Sequence, residues 1–65
     1  MITKFYSKKQ LAIAAGVSRT KFYRWMLIDQ PVLTQMGVLP DQRLLPPKAV
    51  KFICQRHDIK ADKLP

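Results

Sequence analysis

Apolar residues recur along this chain at helical spacing, in short runs broken by glycine and proline, and the breaks divide it into pieces. Leu11, Ala12 and Ala15 form a stripe at i, i+1 and i+4, which predicts a first helix over Lys8–Ala15. Ser7 is its cap, and Gln10 stands three residues on at capping-box spacing. Tyr6 and Leu11 sit where a hydrophobic staple places its two residues. Gly16 ends this helix by taking a left-handed conformation, and Ser18 caps a second one. That second helix is predicted from Arg19 to Ile28. Phe22, Trp25 and Met26 are on its inner face, with Ile28 at the margin. Thr20, Tyr23, Arg24 and Leu27 share its outer face, with Arg19 alongside. Ile13 falls off the inner stripe of the first helix, which leaves it for the last helix or a second subunit.

Asp29-Gln30-Pro31 reads as a new start, because proline suits a first helical turn. A short helix over Pro31–Met36 then buries Val32, Leu33 and Met36. Residues 37–46 carry the Pro40-Asp41 turn signal between the apolar pairs Val38-Leu39 and Leu44-Leu45. They read as an irregular loop or a minimal two-stranded wing, with the loop favoured. Pro47 opens a last helix over 47–57. Ala49, Val50, Ile53 and Cys54 are its inner stripe, and Phe52 stands at one margin. Phe22, Trp25 and Phe52 are expected in the core, with Trp25 closing the wedge between the first two helices. Arg56 and His57 complement the dipole at the end of the last helix, Asp58 supplies the terminating turn, and Lys60–Pro65 is a frayed tail. The expected fold class is all-α: a single 65-residue domain of three to four short helices.

Charge changes the picture more than length does. Twelve Lys and Arg face four acidic residues, all Asp, for a formal net charge of +8. A small domain this basic suits the phosphates of nucleic acid, which recruit it through counterion release. Anionic membranes and acidic proteins are the competing partners. The single cysteine, Cys54, excludes an internal disulfide and suits a reducing, cytoplasmic setting. Met1–Tyr6 contains no signal-peptide stretch. The longest apolar run, Leu11–Val17, is far short of the ~20 residues of a membrane span, so no membrane partner is expected.

The segment from Gln10 to Trp25 carries the functional argument. Two helices that cross steeply on a short turn need a small residue where their backbones approach, and Ala12 is that residue. The turn needs a residue that tolerates positive φ, which Gly16 does without steric cost. Val17, Phe22 and Trp25 fill the wedge, and Ser18 lets the next turn project outward. This is helix-turn-helix geometry, with the second helix aimed at a DNA major groove. Ser18, Arg19, Thr20, Tyr23 and Arg24 are the candidate recognition residues. Arginine can grip guanine O6 and N7 with paired hydrogen bonds or hold a phosphate. Lys8, Lys9, Lys21 and Arg43 are candidates for phosphate contact. Lys8 and Lys9 oppose the dipole of their own helix, so they gain nothing locally. A solvated basic face is the alternative for each of them taken singly.

Ser7-Lys8-Lys9-Gln10-Leu11-Ala12, Gly16-Val17-Ser18 and Arg24-Trp25 together resemble the helix-turn-helix of the MerR-like and excisionase-like DNA-binding group. The run Leu33…Met36-Gly37…Gln42-Arg43-Leu44-Leu45-Pro46-Pro47…Val50…Ile53 is similar to short, uncharacterised proteins of anaerobic gut bacteria. Those proteins usually carry a Thr before the helix-opening proline and a Gly after the last helix. Pro46 and Asp58 occupy those places here, and losing the cap at Pro46 is expected to cost about 1 kcal/mol. The resemblance implies sequence-specific binding of double-stranded DNA by a small transcriptional regulator or a recombination accessory factor.

Cys54 and His57 are three residues apart but lack the two further ligands a zinc site needs, so no metal or other cofactor is expected. There is no glutamate in the chain, no Ser-His-Asp set and no phosphate-cradling glycine loop. Neither a catalytic site nor a small-molecule substrate is expected. A module this small offers little surface for tight specific binding, so a homodimer, tandem binding, or a larger recombinase or regulator is the expected partner arrangement. The rival reading is a protein-interaction module that presents Ile13, Leu27 and Val38-Leu39. RNA is a weaker third option.

Overall fold

Ser7 and Gln10 close a reciprocal capping box: Ser7 Oγ accepts from the Gln10 N–H at 3.1 Å, and Gln10 Oε1 accepts from the Ser7 N–H at 2.9 Å. From that start, the computed structural model, which describes residues 2–65, runs through a first helix, α1 (Lys8–Ala15). The second helix, α2, spans Arg19–Gln35 and the third, α3, spans Pro47–Arg56. Tyr6–Ser7 (β1) pairs antiparallel with Leu44–Leu45 (β2), with Tyr6 opposite Leu45 and Ser7 opposite Leu44. A single turn of 3-10 helix follows at Ala61–Lys63. The fold is thus mostly helical with a small two-stranded sheet, where an all-α domain was expected. The stretch 37–46 forms no wing of its own. Its last apolar pair finds its hydrogen-bonding partner at the chain's beginning, a long-range pairing that local turn signals do not encode.

All three helices end on a residue with positive φ, followed by an apolar β-branched residue. Gly16 (φ 71) precedes Val17, Gly37 (φ 86) precedes Val38, and Asp58 (φ 55) precedes Ile59. In each case the N–H of the β-branched residue reaches back five positions. Val17 donates to the Ala12 carbonyl at 3.2 Å, Val38 to Leu33 at 2.9 Å and Ile59 to Cys54 at 2.9 Å. These are Schellman ends, in which the reversal also drives an apolar side chain back onto the helix it leaves. Val38 and Ile59 are buried accordingly.

Helix α2 does not stop at Ile28, and Pro31–Met36 is not a separate helix: one 17-residue helix passes through Pro31. An internal proline removes one hydrogen bond, here the one to the Leu27 carbonyl. Leu27 is 58% exposed, which puts this part of the helix on the solvent side. On either side of the break, the buried Asp29 and Leu33 fix the helix to the rest of the molecule. The exposure pattern shifts with this correction. Val32 is 38% exposed and Ile28 66% exposed, while Met36 is half-buried.

Asp29, read locally as part of a helix start, is the one buried charged residue among those described. His57 Nε2 stands 2.6 Å from its Oδ2, with the imidazole N–H donating to the carboxylate. Arg56 Nε approaches Oδ1 to 2.5 Å but off the line of a hydrogen bond, so that oxygen has an ionic contact and no hydrogen-bond partner. One turn earlier on α2, the Trp25 ring stacks on His57 with centroids 4.3 Å apart and planes 4° from parallel. Trp25 is half-buried, and its stacking partner is the end of α3 where the wedge between α1 and α2 was expected. Phe22, with its ring centroid 6.0 Å from that of Trp25, lies in the core with Leu11, Ala12 and Met26. Phe52 is half-buried against that core.

The tail is not frayed. Ile59 is buried, Leu64 packs against the core, and Tyr6 Oη donates to the Pro65 main-chain oxygen at 2.8 Å. These contacts give the residues after α3 a packed path across β1.

Three variants test this architecture. Asp58→Gly, which relieves an L-residue of positive φ, is expected to raise unfolding stability by about 0.5–1 kcal/mol in urea melts. Asp29→Ala removes the buried carboxylate and strands the half-buried His57 imidazole, and is expected to cost about 3 kcal/mol. Arg56→Ala removes only a half-exposed partner and is expected to cost about 1 kcal/mol or less. Equal costs for the Asp29 and Arg56 variants would refute this division of roles.

Candidate nucleic-acid interface

The first turns of α1 and α2 border the same hollow. Lys8, Lys9 and Ala12 of α1 face Arg19, Phe22 and Tyr23 of α2 around a space of about 180 Å³. Phe22 and Ala12 are buried beneath it, while Lys9, Arg19 and Tyr23 are exposed around it. Neither helix has an acidic residue in its first turn, so the partial positive charge of each N-terminus adds to that of the side chains. Such an arrangement is costly for the isolated helices and favourable for an anion held against them.

Each predicted residue can now be placed. Ser18 caps α2, its Oγ accepting from the Lys21 N–H at 3.1 Å, which leaves the hydroxyl hydrogen free to donate outward. Arg19, Thr20, Tyr23 and Arg24 are all exposed along the N-terminal half of α2. Arg19 and Tyr23, at i and i+4, lie together on the side of the helix that adjoins Phe22, and Thr20 and Arg24 lie about 100° further round. Lys9 joins them across the hollow. Lys8 does so only in part, because its Nζ donates to the Pro40 carbonyl at 2.8 Å and ties the 38–43 loop to the start of α1. Lys21 points elsewhere: its Nζ lies 6.0 Å from the Trp25 ring centre, on the side of α2 that meets α3. Arg43 is exposed, and the Ser7–Leu44 pairing carries it to the level of Lys8, outside the hollow itself. Lys8, Lys9, Arg19 and Tyr23 therefore border the hollow, with Ser18, Thr20 and Arg24 exposed next to them on α2 and Arg43 outside it.

Sequence reasoning missed the residues that hold this surface in place. Lys8 is expected from the sequence to contact phosphate, and nothing local points to Pro40 as its acceptor. Gln42 was passed over, yet Gln42 Oε1 accepts from the Leu39 N–H at 3.2 Å and Gln42 Nε2 donates to the Leu44 carbonyl at 2.8 Å, shaping the loop. Gln30 braces the end of α2 by donating to the Val38 carbonyl at 3.1 Å. The Gln-rich composition of this region was the only available signal.

Elsewhere the chemistry is sparse. Among the described residues, no group of three His, Cys, Asp or Glu side chains could hold a metal ion. Among the described residues, no helix is long and apolar enough to cross a membrane. Cys54 is buried, and burial pushes its thiol up from the ordinary cysteine value. No known protein family, curated protein or solved structure matches this chain.

The Cys54 result gives a direct check. At neutral pH a raised pKa leaves less thiolate, which is the reactive form. A disulfide reagent such as Ellman's should modify the native protein at least about tenfold more slowly than the urea-unfolded chain. Equal rates would mean that the thiol is open to solvent.

Proposed function

We propose that this protein binds double-stranded DNA by laying the N-terminal half of α2 in the major groove. Arg19, Thr20, Tyr23 and Arg24 meet base edges and adjacent phosphates, and Lys9 holds the flanking backbone across the hollow from α1. Lys8 and Arg43 extend the phosphate-facing border. The observation that carries this reading is the distribution of charge. Asp29 is the sole acidic residue in the first 40, and it is buried against Arg56 and His57. The exposed faces of α1 and α2 are thus basic without acidic interruption, at the two helix ends that converge on one hollow. The short turn between α1 and α2, with Gly16 in the left-handed conformation and Ser18 as second cap, supports a helix-turn-helix reading.

The resemblance to MerR-like and excisionase-like helix-turn-helix proteins points to a small regulator of transcription or a recombination accessory factor. Such a protein would work as a homodimer or beside a larger recombinase. A catalytic step, a cofactor and a small-molecule substrate have no place in this reading. A second reading, a protein-interaction module, draws on the exposed Ile13 (70%) and Leu27 (58%). It loses part of its original support because Val38 is buried.

Fluorescence anisotropy of a labelled random-sequence duplex at two salt concentrations separates the two readings. Micromolar binding that weakens steeply with salt is expected. Arg19→Ala/Arg24→Ala should reduce affinity about tenfold or more and lower the salt slope by about 2. Lys48→Ala/Lys51→Ala, on α3, should change affinity far less. Absence of binding at low salt, or equal loss in both double variants, would refute the assignment of α2.

A further inference from the structure

Helix α3 borders an open groove of about 760 Å³ to which neither α1 nor α2 contributes a residue. Ile2, Pro47, Cys54 and Ile59 give it an apolar floor, and Lys48 and Lys51 stand exposed along its edge. No acidic side chain lines it. Among the described residues, neither lysine is in an ion pair, since both salt bridges belong to Asp29. Lys48 and Lys51 are i, i+3 neighbours, so their ammonium groups flank the floor from the same helix face. An apolar trough edged by unpaired cations complements a helix with apolar residues on one side and carboxylates beside them.

We propose that this groove docks an acidic amphipathic helical segment of a partner protein. The apolar side chains of that segment lie over Cys54 and Ile59, and its Asp or Glu side chains pair with Lys48 and Lys51. The groove shares no residue with the basic hollow between α1 and α2, so the partner and an anion at that hollow do not compete for space. The site stands on its own geometry and does not depend on the DNA reading.

The test uses the full chain without DNA and a synthetic 14-residue peptide, with leucines along one helical face and glutamates elsewhere. A second peptide replaces every glutamate with lysine. Amide NMR shifts should move at residues 47–61 on addition of the Glu peptide and stay unmoved with the Lys peptide. Lys48→Glu/Lys51→Glu should weaken the Glu peptide about tenfold or more. Ala61→Glu, which places a carboxylate at the exposed edge of the groove, should do the same while leaving thermal unfolding unchanged. The proposal is overturned if the Glu peptide maps to Lys9, Arg19 and Arg24, if both peptides bind equally, or if millimolar peptide moves nothing. It is equally overturned if sedimentation shows a dimer that Ala61→Glu dissociates, since the groove would then be filled by a second copy.

Discussion

The carboxylate of Asp29 joins the middle of α2 to the end of α3, and the arrangement of the molecule turns on that junction. A carboxylate withdrawn from water is costly unless its oxygens are answered, and here the answers come from two consecutive residues of another helix. His57 provides an aligned hydrogen bond at 2.6 Å, while Arg56 provides charge from a half-exposed position. Trp25 then covers the imidazole face to face. Side chains four apart on α2 thus grip one residue at the terminus of α3, fixing both the rotation of α2 and where α3 must stop. A buried pair of this kind adds little net stability compared with apolar packing, but it tolerates few alternative arrangements. In a chain with so small a core, that restriction decides which face of α2 is turned outward.

The rest of the framework is built from repeated local reversals. Three helix ends use a positive-φ residue followed by Val or Ile, and each reversal returns an apolar side chain toward the core while satisfying a terminal carbonyl. This is economical for a protein of 65 residues, because its turns contribute to the core that longer chains fill with extra elements. The two-residue strands do similar work at the opposite edge. They close the 38–43 loop onto the start of α1, and the Lys8–Pro40 hydrogen bond reinforces that closure.

Charge is sorted by this framework. The acid in the first part of the chain is drawn inward, and the bases around it stay on the surface. Helix N-termini ordinarily carry acidic residues, and both α1 and α2 carry lysine or arginine instead. The resulting repulsion is a standing cost that an anionic partner would relieve. The groove along α3 has a different character, an apolar floor edged by Lys48 and Lys51, so the protein presents two chemically distinct surfaces on separate elements.

Capping and turn chemistry were legible in the residues themselves. Ser7 acts on Gln10, Gly16 on Ala12 and Ile13, and Ser18 on Lys21, each within four positions, so their interactions are set by local backbone geometry. The basic start of α2 was legible for the same reason, since helical periodicity puts Arg19 beside Tyr23 and Thr20 beside Arg24. What the sequence determined by itself was therefore the starts of α1, α2 and α3, the turn between α1 and α2, and the exposure of the basic residues at the start of α2. Tertiary structure alone decided that α2 continues through Pro31, that Asp29 is buried with His57 and Arg56, and that Leu44–Leu45 pairs with Tyr6–Ser7. Each of these joins residues at least 27 positions apart or overrides a local penalty through contacts made elsewhere. Proline marks a break in any isolated peptide, and only a helix anchored on both sides by buried residues carries on past it.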